Sequence, residues 1–126
     1  MRRLIAAIVL IAVAVAVTGW TSHLFNKEMN RFEKSLNELI DISDRCTDKT
    51  LAEQAEKIVL RWNETADMLR SIVLHNGIDE LGRNISSLLQ IIEHSDREEM
   101  KIKCIEAITL IKNLKDCEKI SFENVL

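Results

Sequence analysis

The fold is decided by residues 1–20, which have the sequence MRRLIAAIVLIAVAVAVTGW. Residues 4–17 contain no charged or polar side chain, and two arginines, Arg2 and Arg3, stand directly before them. No second apolar run of comparable length follows in the chain. The pattern therefore predicts one membrane-directed segment that carries one charged, water-exposed domain.

Residues 4–20 approach the roughly 20 apolar residues that a spanning helix needs. Trp20 closes the run, and an indole is typical of the headgroup level of a bilayer. The alternative is a cleaved signal, since Ala14-Val15-Ala16 has the small-x-small form that signal peptidase accepts. The apolar run continues past that site, which favours an uncleaved anchor over residues 1–23 that binds the lipid bilayer through residues 4–20.

The basic residues on the two sides of the apolar run predict its orientation. Arg2 and Arg3 favour a cytoplasmic N-terminus, whereas Lys27, Arg31 and Lys34 on the other side weaken that bias. We predict a single-pass protein of the cell membrane with its N-terminus in the cytoplasm and its C-terminal domain outside.

Composition limits what the remaining residues, 24–126, can be. Without Arg2 and Arg3, 15 of the 17 basic side chains remain against 20 acidic ones, a balance of −5. Nucleic acid is therefore not an expected partner, because phosphate binding needs a basic face. The chain has no proline and only three glycines, so long helices are expected in a single domain.

Apolar residues recur every three or four positions in four segments, which predicts four amphipathic helices. We place them at residues 24–43, 50–74, 78–94 and 97–116, with a short tail, residues 119–126, folded back onto them. Ile105 and Ile108 widen the apolar face of the last helix, which predicts that it is the most enclosed. Nothing but Gly19 interrupts the chain between the membrane segment and the first of these helices, so one continuous rod is expected.

Short polar segments separate the four helices. Thr50 with Glu53 and Ser95 with Glu98 fit the capping box that begins a helix. The segment His75-Asn76-Gly77 is predicted to end the second helix, with Asn76 or Gly77 in the left-handed conformation. Short connections between amphipathic helices predict an all-α fold: an N-terminal transmembrane helix followed by an antiparallel up-down bundle of three to four helices.

Two groups of side chains are candidates for a special role. Trp62 lies in the middle of an apolar stripe and is predicted to be a core anchor. His75, Asp79 and Glu80 form the one cluster that resembles a functional site, with His23 as a conceivable third metal ligand. The structural interpretation is that His75 caps a helix while Asp79 and Glu80 complement the helix dipole, and we favour it over a metal-dependent enzyme.

The three cysteines, Cys46, Cys104 and Cys117, show neither zinc-ligand spacing nor a disulfide framework. Cys104 lies on an apolar stripe and is expected to behave as a small hydrophobic residue. A disulfide from Cys46 to either of the other two remains an alternative in an oxidising compartment.

Four features of the chain occur together: the N-terminal anchor, Trp62, the segment His75-Asn76-Gly77-Ile78-Asp79 and the closing Ser121-Phe122-Glu123-Asn124-Val125-Leu126. In these features the chain resembles a family of uncharacterised, membrane-anchored proteins of spore-forming Gram-positive bacteria, domain-of-unknown-function family four-three-six-three. The family usually has an acidic residue where Gly77 stands. The resemblance implies a single-pass helical protein without an assigned reaction, beside a multi-spanning membrane protein as a partner.

Four amphipathic stripes without convergent reactive groups predict a protein that is not an enzyme. We predict a protein–protein interaction or structural module at the membrane surface, with no catalytic residue, metal or cofactor. Its partner would be a multi-spanning membrane protein or a second copy of the chain. The alternative is an extracytoplasmic small-ligand sensor, or an accessory subunit of a multi-spanning membrane protein.

Overall fold

The structure is a computed structural model of the chain. It describes the backbone of residues 1–72, 75–94 and 96–125, and the side chains of residues 1–71, 77–94 and 96–119. The described part forms four helices, α1 (Arg2–Ile42), α2 (Asp48–Ile72), α3 (His75–Glu93) and α4 (Arg97–Val125).

The four helices form an antiparallel up-down bundle, which confirms the predicted fold class. Helix α1 packs against α2 and α4, and α3 packs against the same two helices. The pairs α1–α3 and α2–α4 are therefore the diagonals of the bundle. One apolar stripe from each helix supplies the core, whose largest fully buried side chains are Phe25, Met29, Phe32, Leu36, Leu39, Leu51, Leu69, Ile78, Leu81, Ile85, Leu88 and Met100.

Helix α1 is continuous from an exposed first half to a second half that packs in the bundle core. Its first half is exposed, and its first buried residue is Phe25. Gly19 does not interrupt it, and nothing lies within 4 Å of the position of a Cβ at that residue. The 41 residues of α1 form the expected continuous rod, about 60 Å long at about 1.5 Å per residue.

Helix α2 begins two residues before its predicted start, whereas α4 begins at residue 97 as predicted. Ser95, the predicted capping residue of α4, lies outside the described residues. Helix α2 begins at Asp48, and the hydroxyl of Thr47 accepts a hydrogen bond from the backbone N–H of Thr50 at 3.2 Å. Helix α4 begins at Arg97, and Asp96 Oδ1 accepts from the N–H of Glu99 at 3.0 Å. Thr47 and Asp96 are thus the capping residues, and the prediction that Thr50 caps α2 is wrong.

The connection between α2 and α3 also differs from the prediction. His75, Asn76 and Gly77 belong to α3, which begins at His75, so they do not end the second helix. Gly77 has helical backbone and approaches the side chain of Leu114 on α4. Gly77 is therefore part of the first turn of α3 and not of a left-handed turn.

Helix α4 is longer and more exposed than predicted. It continues to Val125, so the short folded-back tail predicted for residues 119–126 is wrong for the described backbone. Ile108 is buried, but Ile105 is 56% exposed and Ile102 is similarly exposed. The last helix therefore presents apolar residues to the outside of the bundle and is not enclosed on all sides.

Arg97 joins the first residues of α4 to the α1–α2 connection. Its guanidinium donates to the carbonyl oxygens of Ser43 and Cys46, the latter at 3.0 Å, and to Asp48 Oδ1 at 2.7 Å. The hydrogen bond to Asp48 is the main reason that the pKa of Arg97 is raised. The side chain of Arg97 thereby links α4 to the α1–α2 connection at the end of the bundle opposite the apolar segment.

Candidate functional site

The predicted cluster of His75, Asp79 and Glu80 lies in the first two turns of α3. Asp79 Oδ1 accepts a hydrogen bond from Arg70 Nε on α2 at 2.9 Å, and Arg70 also pairs with Asp67 at 2.9 Å. The hydrogen bond from Arg70 to Asp79 is the main cause of the raised pKa of Arg70. Asp79 therefore joins α2 to α3.

The other two members of the predicted cluster are Glu80 and His75. Glu80 is exposed, and the side chain of His75 lies outside the described residues. His23 is exposed on α1. Within the described part of the chain, no group of three or more His, Cys, Asp or Glu side chains is arranged to hold a metal ion.

The three cysteines are free thiols in different environments. Cys46 is half-buried in the α1–α2 connection, Cys104 is buried in the core, and Cys117 is exposed on α4. Burial raises the pKa of the Cys104 thiol to about 12. The disulfide alternative for Cys46 is not formed in this structure.

A cleft opens between α1 and α2 and has a volume of about 230 Å³. It is smaller than most drug-sized ligand sites, which occupy about 300–1,000 Å³. The floor is apolar and the rim is polar, with both signs of charge. The lining residues are Phe32, Ser35, Glu38, Leu39, Ile42, Gln54, Lys57, Ile58 and Arg61.

A partly buried ion pair lies at one end of the cleft. Arg61 Nη2 on α2 lies 3.8 Å from Glu28 Oε2 on α1. That distance is too long for a hydrogen bond, and this buried nitrogen has no hydrogen-bond partner. Arg31 donates to the other carboxylate oxygen of Glu28 at 3.2 Å, and the guanidinium of Arg61 lies 5.6 Å from the centre of the Phe32 ring.

The sequence did not single out Glu28 or Arg61. Each is a charged residue beside an apolar stripe, and that pattern is typical of a solvated position. One signal in the sequence could have indicated that Glu28 is partly buried. Glu28 directly precedes Met29, and the apolar stripe of α1 is broad enough to include a neighbouring position. Only the alignment of α1 with α2 brings the two charges together.

The first half of α1 exposes an apolar surface that the bundle does not bury. One helix, Arg2–Ile42, is long and apolar enough to cross a membrane, and none of its most apolar 18-residue window is buried. Leu10 and Ile11 lie within this window, and Trp20 at its end is 70% exposed. Arg2 and Arg3 are also exposed.

The fold defines a class of protein: a four-helix bundle in which one helix extends well beyond the other three. Residues 19–125 match the domain of unknown function DUF4363, and the chain belongs to that family. The match begins at Gly19, at the end of the apolar segment, and covers the whole bundle. No curated protein and no solved structure matches the chain.

Proposed function

We propose that this protein is a single-pass, membrane-anchored interaction module without enzymatic activity, whose bundle contacts another protein at the membrane surface. The observation that carries the proposal is the division of α1. Residues 4–20 expose apolar side chains along the whole helix surface, while the same helix from Phe25 onward supplies the core of the bundle. Exposed apolar surface of this extent is stable in lipid and unfavourable in water.

The N-terminus lies in the cytoplasm and the bundle outside the cell membrane under this proposal. Arg2 and Arg3 precede the apolar segment, and the rule that basic residues stay inside supports this orientation. A topology reporter fused after Leu126 tests it, with activity expected only for a reporter that works outside the cytoplasm.

The anchoring step can be tested by placing charge in the apolar segment. Ile8→Arg with Ile11→Arg should move the full chain from the membrane fraction to the soluble fraction, because an arginine at the centre of a spanning helix costs about 2.5–3.5 kcal/mol. Leu60→Arg is the control, since Leu60 on α2 is exposed on the bundle to a similar extent. Anchoring is wrong if the change in the apolar segment does not release the protein, or if the control releases it as well.

The interaction step needs a partner, and two classes are open: a multi-spanning membrane protein or a second copy of this chain. Ile102 and Ile105 form an exposed apolar pair on α4 that supports contact through this helix. Crosslinking in intact membranes, followed by mass measurement of the products, distinguishes the two classes. A chain that stays monomeric under these conditions contradicts the proposal.

The cleft between α1 and α2 favours a second candidate function, an extracytoplasmic sensor of a small ligand. Lys57 and Arg61 on its rim outnumber the single acid Glu38, and Phe32 and Ile58 supply an apolar wall. This chemistry fits a small carboxylate with an apolar body. Thermal unfolding with a panel of such carboxylates tests it, and Ser35→Trp, which fills the cleft, should abolish any stabilisation.

A further inference from the structure

Ion pairs along α4 show how it aligns with α1 and with the α1–α2 connection, where Asp44 lies. Lys101 Nζ lies 2.8 Å from Asp44 Oδ1, and Lys115 Nζ lies 2.8 Å from Glu33 Oε2 and 2.9 Å from Asn30 Oδ1. From Lys115 to Val125 the backbone of α4 continues for about 15 Å at about 1.5 Å per residue. The same length along α1, measured from Asn30 and Glu33 towards the N-terminus, leads to residues 20–23. The end of α4 therefore lies level with residues 20–23.

The alignment of α2 with α1 leads to the same level. Trp62 packs edge-on against Phe32, with ring centres 5.4 Å apart, and Arg61 pairs with Glu28. From these contacts to the end of α2 at Ile72 is about 15 Å at about 1.5 Å per residue. Ile72 therefore lies level with residues 17–22 of α1, and α3 begins three residues later, joined to α2 by Arg70 and Asp79.

The end of α2, the start of α3 and the end of α4 thus lie at the level of Trp20. Trp20 is the last residue of the exposed apolar segment of α1. We call this end of the bundle, formed by Ile72, the start of α3 and the last turn of α4, the bundle base. The helix is unbroken across this level, and Gly19 is its sole glycine. No flexible segment within α1 separates the apolar residues from the bundle.

We propose that the bundle base lies directly on the lipid headgroups, so that the bundle continues the axis of the spanning helix and does not move on a flexible tether. The proposal rests on the anchoring part of the proposed function. The headgroup layer on one side of a bilayer is only about 5–7 Å thick, and the base lies within about one helical turn of Trp20. The partner that this end of the bundle fits is therefore the lipid surface.

The charges near the base suit zwitterionic headgroups. The exposed charged side chains nearest to it within the described part of each helix include the cations Lys27 and Lys119 and the anions Asp67 and Glu80, about 7–10 Å away at about 1.5 Å per residue. Both signs are present, so the contact needs no excess of anionic lipid. Phosphatidylcholine vesicles are accordingly a sufficient probe surface.

Spin labels on the full chain in phosphatidylcholine vesicles test the proposal. Cys46→Ser and Cys117→Ala remove the accessible thiols, while Cys104 is kept because it is buried. Single cysteines are then placed at Ser71 near the base and at Glu93 at the other end of the bundle. Both positions are exposed, so the label does not disturb the core.

The measured quantity is the collision rate of each label with a water-soluble nickel chelate. We expect a several-fold lower rate at position 71 than at position 93, because headgroups shield the base. A flexible Gly-Ser insert between Trp20 and Thr21 should raise the rate at position 71 to that at position 93. Equal rates at the two positions in the unmodified helix overturn the proposal.

A label at Leu10→Cys separates this proposal from the anchoring on which it rests. Collision with oxygen but not with the nickel chelate at position 10 establishes that the segment lies in lipid. If position 10 is in lipid while positions 71 and 93 are equally accessible, anchoring stands and the contact of the base with lipid is wrong. If position 10 is accessible to the chelate, both are wrong.

Discussion

Gly82 of α3 lies directly against the indole ring of Trp62 on α2. A Cβ built at position 82 would lie 2.8 Å from Trp62 Nε1 and 3.4 Å from Cε2. The ring cannot move aside easily, because Trp62 is 2% exposed and its other side packs against Phe32. The absence of a side chain at position 82 is therefore what allows α2 and α3 to approach around the tryptophan.

The substitution Gly82→Ala should lower the free energy of unfolding by up to about 2 kcal/mol. Overpacking a core costs about 1–3 kcal/mol, and replacing a helical glycine with alanine returns up to about 1 kcal/mol. Gly77→Ala is the matched control, because its new methyl group would meet the flexible end of Leu114, which can rotate away. Urea unfolding of the full chain in detergent, followed by circular dichroism, should show opposite signs or a clear difference for the two variants. Equal effects would contradict this account.

Trp62→Ala should destabilise the bundle by about 3–5 kcal/mol, the range observed when a large buried aromatic side chain is removed. Trp20→Ala should leave bundle unfolding unchanged, because Trp20 is exposed and lies before the first buried residue. These two are the chain's only tryptophans, so the fluorescence of each variant reports the other one alone. A comparable loss of stability in both variants would show that the apolar segment is part of the cooperative unit.

Much of the fold follows from spacing alone. Positions such as Leu36, Leu81 and Ile111 recur at helical intervals and are all buried, because an apolar stripe on a helix is stable only against another stripe. Ile105 is also an apolar residue beside the stripe of its helix, but it is exposed. The spacing of apolar residues does not determine how much of the helix surface the neighbouring helices cover. The number of helices and their order were therefore predictable, and the width of each buried face was not.

Local signals fail where two residues compete for the same role. Thr47 and Thr50 both carry a hydroxyl group just before a helical stretch, and the structure selects Thr47. The pairing of Glu28 with Arg61 depends on the axial position of α1 relative to α2. No short sequence motif determines that position. Candidate site residues on one helix can be proposed from sequence, whereas contacts between helices need the alignment that packing sets.

The pairing of Glu28 with Arg61 can be measured by a double-mutant cycle. The two side chains are 11% and 31% exposed, respectively, so their charges are only partly screened. Glu28→Ala should lower the free energy of unfolding by about 1–3 kcal/mol, because it leaves a buried guanidinium nitrogen without its counter-charge. In the Arg61→Met background, which keeps the apolar stem, the same change should cost clearly less. Additive effects would show that the two residues do not interact.

Arg97→Lys should loosen the α1–α2 connection, because an ammonium group cannot reach three acceptors with the fork geometry of a guanidinium. The acceptors are two backbone carbonyl groups and Asp48. We expect Cys46, whose carbonyl oxygen is one of them, to react several-fold faster with a thiol reagent. Arg83→Lys, on the exposed side of α3, is the control and should leave that rate unchanged. An unaltered rate in Arg97→Lys would mean that the connection is held by its other contacts.

The buried thiol of Cys104 should make the bundle less stable at high pH. Burial raises its pKa from the ordinary 9.0 to about 12, so above pH 9 the unfolded chain loses the thiol proton while the folded chain retains it. The unfolded state then binds fewer protons, and the free energy of unfolding falls as the pH rises from about 9 towards 12.

Lysine side chains also titrate in this range, so the test compares variants across pH. Cys104→Ala should make the free energy of unfolding fall less steeply between pH 9 and 12, because the contribution of the buried thiol is removed. Cys117→Ala, which removes an exposed thiol, should leave the decline in the free energy of unfolding unchanged. The chain has no tyrosine, which removes another source of alkaline titration. Identical pH dependence in the two variants would show that the Cys104 thiol reaches water in the folded bundle. Its reaction with a thiol reagent at pH 8 should then match that of Cys117, whereas a buried thiol should react only on unfolding.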